Sequence, residues 1–282
     1  MNILTFDIED WFHTNFDEGF NDLSKINSFE SRIEKNMDRI LNLLDEKKQK
    51  GTFFCLGWVA DRYPNVIKQI DTAGHEIGSH TNMHHLVTQH TKYSFDEDLK
   101  KSIDLLSAIT NKKVKYFRAP AFSIGHKNKW AFEVLHENGI EIDCSIFPSK
   151  RDFGGFDGFN NGEPCIVNYN EVHLKELPIN LHSVLGKKIV FSGGGYFRLF
   201  PYALIKKWLA ESKYTMTYFH PRDFDPGQPV LSDLSTMRKF KSYYGLKGAF
   251  PKFSKMLDDF NFCDVDTANA MIDWDKVSKI KI

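Results

Sequence analysis

Short apolar segments alternate with helical ones along most of this chain, and that alternation constrains the fold more than any other feature of the sequence. Thr52-Phe53-Phe54-Cys55-Leu56, bounded by Gly51 and Gly57, has the length and composition of a buried strand. Before it, Ile33, Met37, Ile40, Leu41 and Leu44 recur at i, i+4, i+7, i+8 and i+11, on one face of a helix. After it, residues 64–73 read as a helix closed by Gly74, and His75-Glu76-Ile77-Gly78-Ser79 as the next strand. Ser94 and Glu97 have capping-box spacing and are expected to open a third helix, with Leu99, Ile103, Leu106 and Ile109 on its apolar face. Further strands are predicted over 114–118, 140–145, 174–179 and 215–219, and helices over 129–137 and 202–211. Strands separated by helices at this spacing pair in parallel, giving an α/β fold. The sheet can close or stay open; a barrel of fewer than eight units is expected. Residues 150–170, with Gly154, Gly155, Gly158, Gly162, Pro164 and four Asn, carry no period and read as a long loop over the site.

Lys plus Arg and Asp plus Glu number 37 each, and no long basic run occurs, so nucleic acid is not an expected partner. No stretch approaches the ~18 apolar residues of a membrane span. The chain starts straight into the strand pattern Asn2-Ile3-Leu4-Thr5-Phe6, without the basic head and cleavage site of a secretory signal, so a cytoplasmic location is expected. Cys55, Cys144, Cys165 and Cys263 show no C-x-x-C pairing and suit a reducing compartment.

Four segments carry chemistry. Asp7, Glu9 and Asp10 crowd three carboxylates into four residues at the end of the first strand, an arrangement that is costly to desolvate unless a cation neutralises it. His80 and His84 stand at i and i+4, so one helical turn would face both imidazoles toward a metal. An isolated pair of this kind is a weak signal; its position just past a strand end gives it weight. Arg118 ends a third apolar run before Pro120, and His220 ends the last strand in Tyr218-Phe219-His220-Pro221. Taken singly, the arginine reads as solvated and the histidine as structural.

In this order the four segments resemble the motifs of the polysaccharide deacetylase family, whose catalytic unit is also called the NodB homology domain. Thr52-Phe53-Phe54, Gly74-His75-Glu76-Ile77 and Ser192-Gly193-Gly194-Gly195-Tyr196-Phe197-Arg198 share the likeness, which covers about residues 1–225 and is closest in style to the branch found in bacterial surface-glycan loci. The resemblance implies a distorted (β/α)7 barrel formed by a single domain over 1–282, with 226–282 a helical extension packed on it. It implies that Asp7 is the general base, His80 and His84 metal ligands, Arg118 the group that holds Asp7 ionised, His220 the general acid, and Asp143 the aspartate that orients His220.

One departure matters. The common family motif has two adjacent aspartates, whereas here Ile8 follows Asp7. Glu9 is then the expected third ligand, because strand residues i and i+2 share a face, and Asp10 competes if the strand bulges. Two imidazoles and a carboxylate suit Zn2+ by default and also accept Ni2+, Co2+ or Fe2+. The expected function is metal-dependent removal of N-acetyl groups from an amino-sugar glycan or its precursor. Two alternatives stand beside it: opening of cyclic amides or ureides on the same scaffold, and glycan binding without catalysis. Trp11, Phe12, Phe122 and Tyr196 read either as a sugar-pocket lining or as core.

Overall fold

The computed structural model describes residues 1–13, 28–151, 153–184, 186–231 and 234–282. Its first strand sets the pattern for the rest. Asn2–Ile3 (β1) and Thr5–Ile8 (β2) form one extended run interrupted at Leu4, whose N–H donates to the carbonyl of Cys263. Leu4, Phe6 and Ile8 pack outward against Ile33, Met37, Ile40 and Leu44 of α1 (Ile33–Glu46). Ile3, on the opposite face, joins Phe54, Tyr116, Ile142 and Met216 in a separate inner cluster. Two-residue alternation therefore sends Thr5 and Asp7 inward with Ile3. Each fully buried large apolar side chain contributes roughly 1.5–3 kcal/mol to holding the two layers together.

The chain continues through β3 (Thr52–Cys55), α2 (Gly57–Arg62), α3 (Pro64–Thr72), β4 (Glu76–Ser79), α4 (Lys92–Thr110), β5 (Tyr116–Phe117), α5 (Ala131–Glu137) and β6 (Ile142–Asp143). Then come β7 (Cys165–Tyr169), β8 (Val172–Glu176), the hairpin β9 (His182–Val184) and β10 (Lys187–Ile189), α6 (Gly194–Leu199), α7 (Tyr202–Glu211) and β11 (Thr215–Met216). Strands β2, β3, β4, β5, β6 and β8 pair in that order, all parallel, and β11 pairs in parallel with β1. With β1 and β2 counted as one, this makes the seven strands of a distorted barrel. Between β8 and β11, single contacts replace a ladder: Asn180 Oδ1 accepts from the N–H of Met216, and Gly193 bridges to Tyr218. A Cβ on Gly193 would stand 1.9 Å from the carbonyl oxygen of Tyr218, so only glycine permits that approach.

Three elements differ from expectation. Helix α4 begins at Lys92, and its capping pair is Thr91 and Ser94, not Ser94 and Glu97: Thr91 Oγ1 accepts from the N–H of Ser94 at 3.2 Å, and Ser94 Oγ from that of Thr91 at 3.0 Å. Both positions offer a hydroxyl cap, and the earlier one wins because the chain is already extended at Thr91. The stretch 150–170, whose residue 152 lies outside the described residues, ends in strand β7, antiparallel to β8. Its earlier part does lie against the turn after Arg118, where the N–H of Gly155 donates to the carbonyl of Phe122. The last part of the chain is helical in α8 (Thr236–Tyr243), α9 (Leu246–Asp259) and α10 (Val265–Met271), but finishes in a strand, β12 (Ser278–Lys281), paired in parallel with β7. Among the described residues no helix is long and apolar enough to cross a membrane. All four cysteines are free.

Candidate metal and acid–base site

The C-terminal ends of the parallel strands gather most of the singled-out residues on one rim. Asp7, 3% exposed, projects from β2 with its N–H on the carbonyl of Phe219. Arg118, fully buried just past β5, donates from Nη1 to Asp7 Oδ1 at 2.9 Å and to Thr5 Oγ1 at 2.7 Å, while its Nε donates to the carbonyl of Cys144. Its guanidinium lies 4.3 Å from the centre of the Phe54 ring. An arginine held at this many points fixes the carboxylate's position.

Glu9, His80 and His84 are all buried, and one ligand atom from each lies within 4.8 Å of the others. His80 follows the end of β4. Its Nδ1 stands 2.7 Å from the carbonyl of Arg118, an oxygen that can only accept, so Nδ1 carries the proton and Nε2 keeps a bare lone pair. Burial, partly opposed by Asp7, pushes the imidazole of His80 down to about 4, so it is neutral at pH 7, as a metal ligand must be. Oε2 of Glu9, shielded from solvent, approaches Nε2 of His84 to 2.5 Å, so the carboxylate and the imidazole nitrogen face one another directly. Burial alone would raise Glu9, yet His84, His220 and His80 together hold it well below the usual carboxylate range. This donor set, two nitrogens and an ionised oxygen converging in a shielded space, fits a divalent ion of the zinc type.

The two histidines do not share a helical turn. Residues 80–86 form an irregular loop in which Thr81 and His84 take left-handed conformations, at φ 71° and 62°. The imidazoles converge, 5.1 Å apart centre to centre, through that unusual backbone. Asp10 is outside the cluster: its carboxylate accepts from Ser31 Oγ at 2.5 Å and from the N–H groups of Trp11 and Arg32, pinning the chain just before α1.

His220 sits across from Asp7, with Nε2 3.7 Å from Asp7 Oδ2 and 3.8 Å from Glu9 Oε1. Asp143 does not orient it. The aspartate at its Nδ1 is Asp223, at 3.0 Å and only three residues along the chain, while Asp143 is bonded to Ser145. Asp223 in turn faces Nε of Arg198 at 3.1 Å. Burial disfavours charge on His220, but Asp223, Glu9 and Asp7 outweigh it and raise the imidazolium to about 9.

His13 is a further buried group that the four segments did not include. Its Nδ1 accepts from the N–H of Asp10 at 3.0 Å, so its proton is on Nε2, which is shielded and without a partner. Burial lowers it to about 3. It packs edge-on to Trp58, with its ring 6.2 Å from that of His84. The only sequence signal for it is a histidine four residues after Glu9. Trp11, Phe12 and Phe122 belong to the core; Tyr196, 44% exposed, does not.

A family model described as polysaccharide deacetylase matches residues 4–142, and one described as a domain of unknown function matches 144–270. A peptidoglycan-N-acetylglucosamine deacetylase of Bacillus cereus is 31% identical over 179 residues, which cover 62% of this chain and 74% of that one. The chain belongs to the polysaccharide deacetylase family. A second Bacillus cereus protein of the same name is 32% identical over 109 residues; the match spans only 38% of its length and 38% of this chain. A Mycobacterium smegmatis crystal structure assigned to the polysaccharide deacetylases aligns over 100% of this chain and 92% of its own, with a TM-score of 0.67 at 20% identity, and shows a shared fold. The relatives named here are deacetylases, hydrolases of amide bonds. Asp7, Glu9, His80, His84 and Arg118 fall within the polysaccharide deacetylase match, whereas His220 and Asp223 come from the second matched region.

Proposed function

We propose that this chain is a metal-dependent hydrolase that removes N-acetyl groups from a glycan containing N-acetylated amino sugars, such as N-acetylglucosamine. The observation that carries the proposal is the placement of Asp7 and His220 together beside the cluster of Glu9, His80 and His84, in a chain of this family. We take 1–282 as one catalytic unit, because β12 pairs with β7 and Cys263 bridges to Ile3.

Glu9, His80 and His84 hold the ion, with Zn2+ the default; Asp10 is spoken for elsewhere. When bound, a divalent ion supplies Lewis acidity to the acetamide carbonyl and makes water more acidic. Arg118 keeps one oxygen of Asp7 occupied, so the other, Oδ2, accepts a proton from the attacking water. The new bond forms between water oxygen and acetyl carbon. As the C–N bond breaks, Nε2 of His220 gives its proton to the departing amine, and Asp223 stabilises the imidazolium until then. The products are acetate and a free amino sugar.

The test is acetate release from N-acetylglucosamine oligomers by metal-replete protein, with a chelator-treated sample and its Zn2+-restored counterpart alongside. Release that is lost with the metal and regained with it is expected. Binding of the oligomers without acetate would favour a non-catalytic role, and ring opening of cyclic imides instead would move the chain to the other amide-hydrolase class.

A further inference from the structure

We infer that His85, His90 and Asp98 form a second divalent-cation site, separate from the Glu9, His80 and His84 cluster and tied to the loop that carries it. One ligand atom from each of the three lies within 4.8 Å of the others. The imidazoles of His85 and His90 stand 5.8 Å apart, comparable with the 5.1 Å between His80 and His84, a spacing at which two ring nitrogens can converge on one ion.

The local hydrogen bonds leave the right atoms available. Nδ1 of His90 meets Ser94 Oγ at 3.2 Å, and that hydroxyl has the carbonyl of Thr91 within 3.3 Å as an acceptor for its own proton. Nδ1 can donate to that hydroxyl, the tautomer that leaves the lone pair of His90 on Nε2; this atom is shielded from solvent and has no hydrogen-bond partner. Asp98, on α4, is held in place because one of its oxygens accepts from the N–H of Asn82 at 2.7 Å. All three residues are half-buried, so water can complete the coordination of a zinc-like ion.

The position gives the site a purpose. Asn82 and His85 belong to the loop in which Thr81 and His84 hold left-handed φ, a backbone that persists only when its surroundings fix it. An ion between His85 and Asp98 would fasten the residue next to His84 onto α4. Occupancy of the second site should thus keep His84 in position for the first.

Elemental analysis after chelator treatment and dialysis against a fixed concentration of free Zn2+ tests this, with circular dichroism as the control for folding. Two ions per chain are expected in the wild type, one in His90→Ala, one in His80→Ala and none in the double variant. Asp98→Asn keeps an acceptor for Asn82 and should also fall to one. Zn2+ should raise the melting temperature of His80→Ala and leave that of the double variant unchanged. Saturation at one ion in the wild type and in His90→Ala alike would overturn the inference. A wild type with one ion that His90→Ala removes and His80→Ala does not would support it while refuting the first site.

Discussion

Asp7 and Glu9 on one side of the barrel, and Asp143 and Glu176 on another, are two pairs of buried carboxyl groups at strand ends with very different neighbours. Around the first pair stand Arg118, His80, His84 and His220. Asp143 and Glu176 instead lie directly opposite each other on β6 and β8, and Asp143 Oδ2 and Glu176 Oε2 are both shielded with no donor from any other residue. They find one only by sharing a proton. Burial pushes Asp143 up to about 6 and Glu176 well above the carboxylate range. Residue type and depth are alike in the two places; what differs is the set of neighbours, Arg118 and histidines at the first pair and only the opposing carboxyl at the shielded oxygens of the second.

The largest expected effect separates the two sides by turnover. His220→Ala should cut kcat by ~10²–10⁴-fold with metal retained, whereas Asp143→Asn, whose carboxyl touches Ser145 and not His220, should change it far less. Next is metal affinity. Glu9→Gln should weaken Zn2+ binding by more than the ~10–100-fold typical of losing an outer partner, and Asp10→Asn should leave the zinc content unchanged, both read by elemental analysis. Equal losses would undo the distinction drawn between these neighbours.

A smaller effect concerns the pH profile. His220 acts as its protonated form, so activity should fall as pH rises through its pKa, raised to about 9 without metal and lower once an ion shares the charge of Glu9. Asp223→Asn removes a carboxylate that raises it. The alkaline limb should therefore move to lower pH, with kcat reduced roughly 10–100-fold, and Asp143→Asn should leave the limb in place. The smallest effect is on stability. Glu176 binds its proton more tightly in the folded chain, so stability is lost as pH rises from the unfolded value toward the folded one. Glu176→Gln has no proton to lose and should be roughly 1–2 kcal/mol more stable than wild type at pH 8, by urea unfolding, and no more stable at pH 4.

The same contrast bears on what could be read from the sequence. Period-two alternation placed Asp7 and Glu9 on one face, and the helix over Tyr202–Glu211 was legible to the residue because its apolar spacing has no rival pattern. His80 and His84 were legible as a pair, but not the loop that joins them, since left-handed φ at Thr81 and His84 leaves no trace in non-glycine residues. The family resemblance implies Asp143, far along the chain, as the partner of His220, whereas Asp223, three residues away, is the one bonded to it. Through-space distance is absent from the sequence; an i+3 contact within one turn is not. Strand β7 is not legible in the sequence because five residues beside a glycine-rich stretch carry too few periods, and its pairing with β12 depends on two segments far apart in the chain.

The central claim is that the charged side of the barrel performs amide hydrolysis with Asp7 as its base. Acetate release from N-acetylglucosamine oligomers by zinc-loaded wild type and Asp7→Asn, with the metal content of both measured in parallel, tests it most directly. A loss of at least ~100-fold in Asp7→Asn at unchanged zinc content is predicted. Near-wild-type release by Asp7→Asn, or no release by the zinc-loaded wild type, would contradict it.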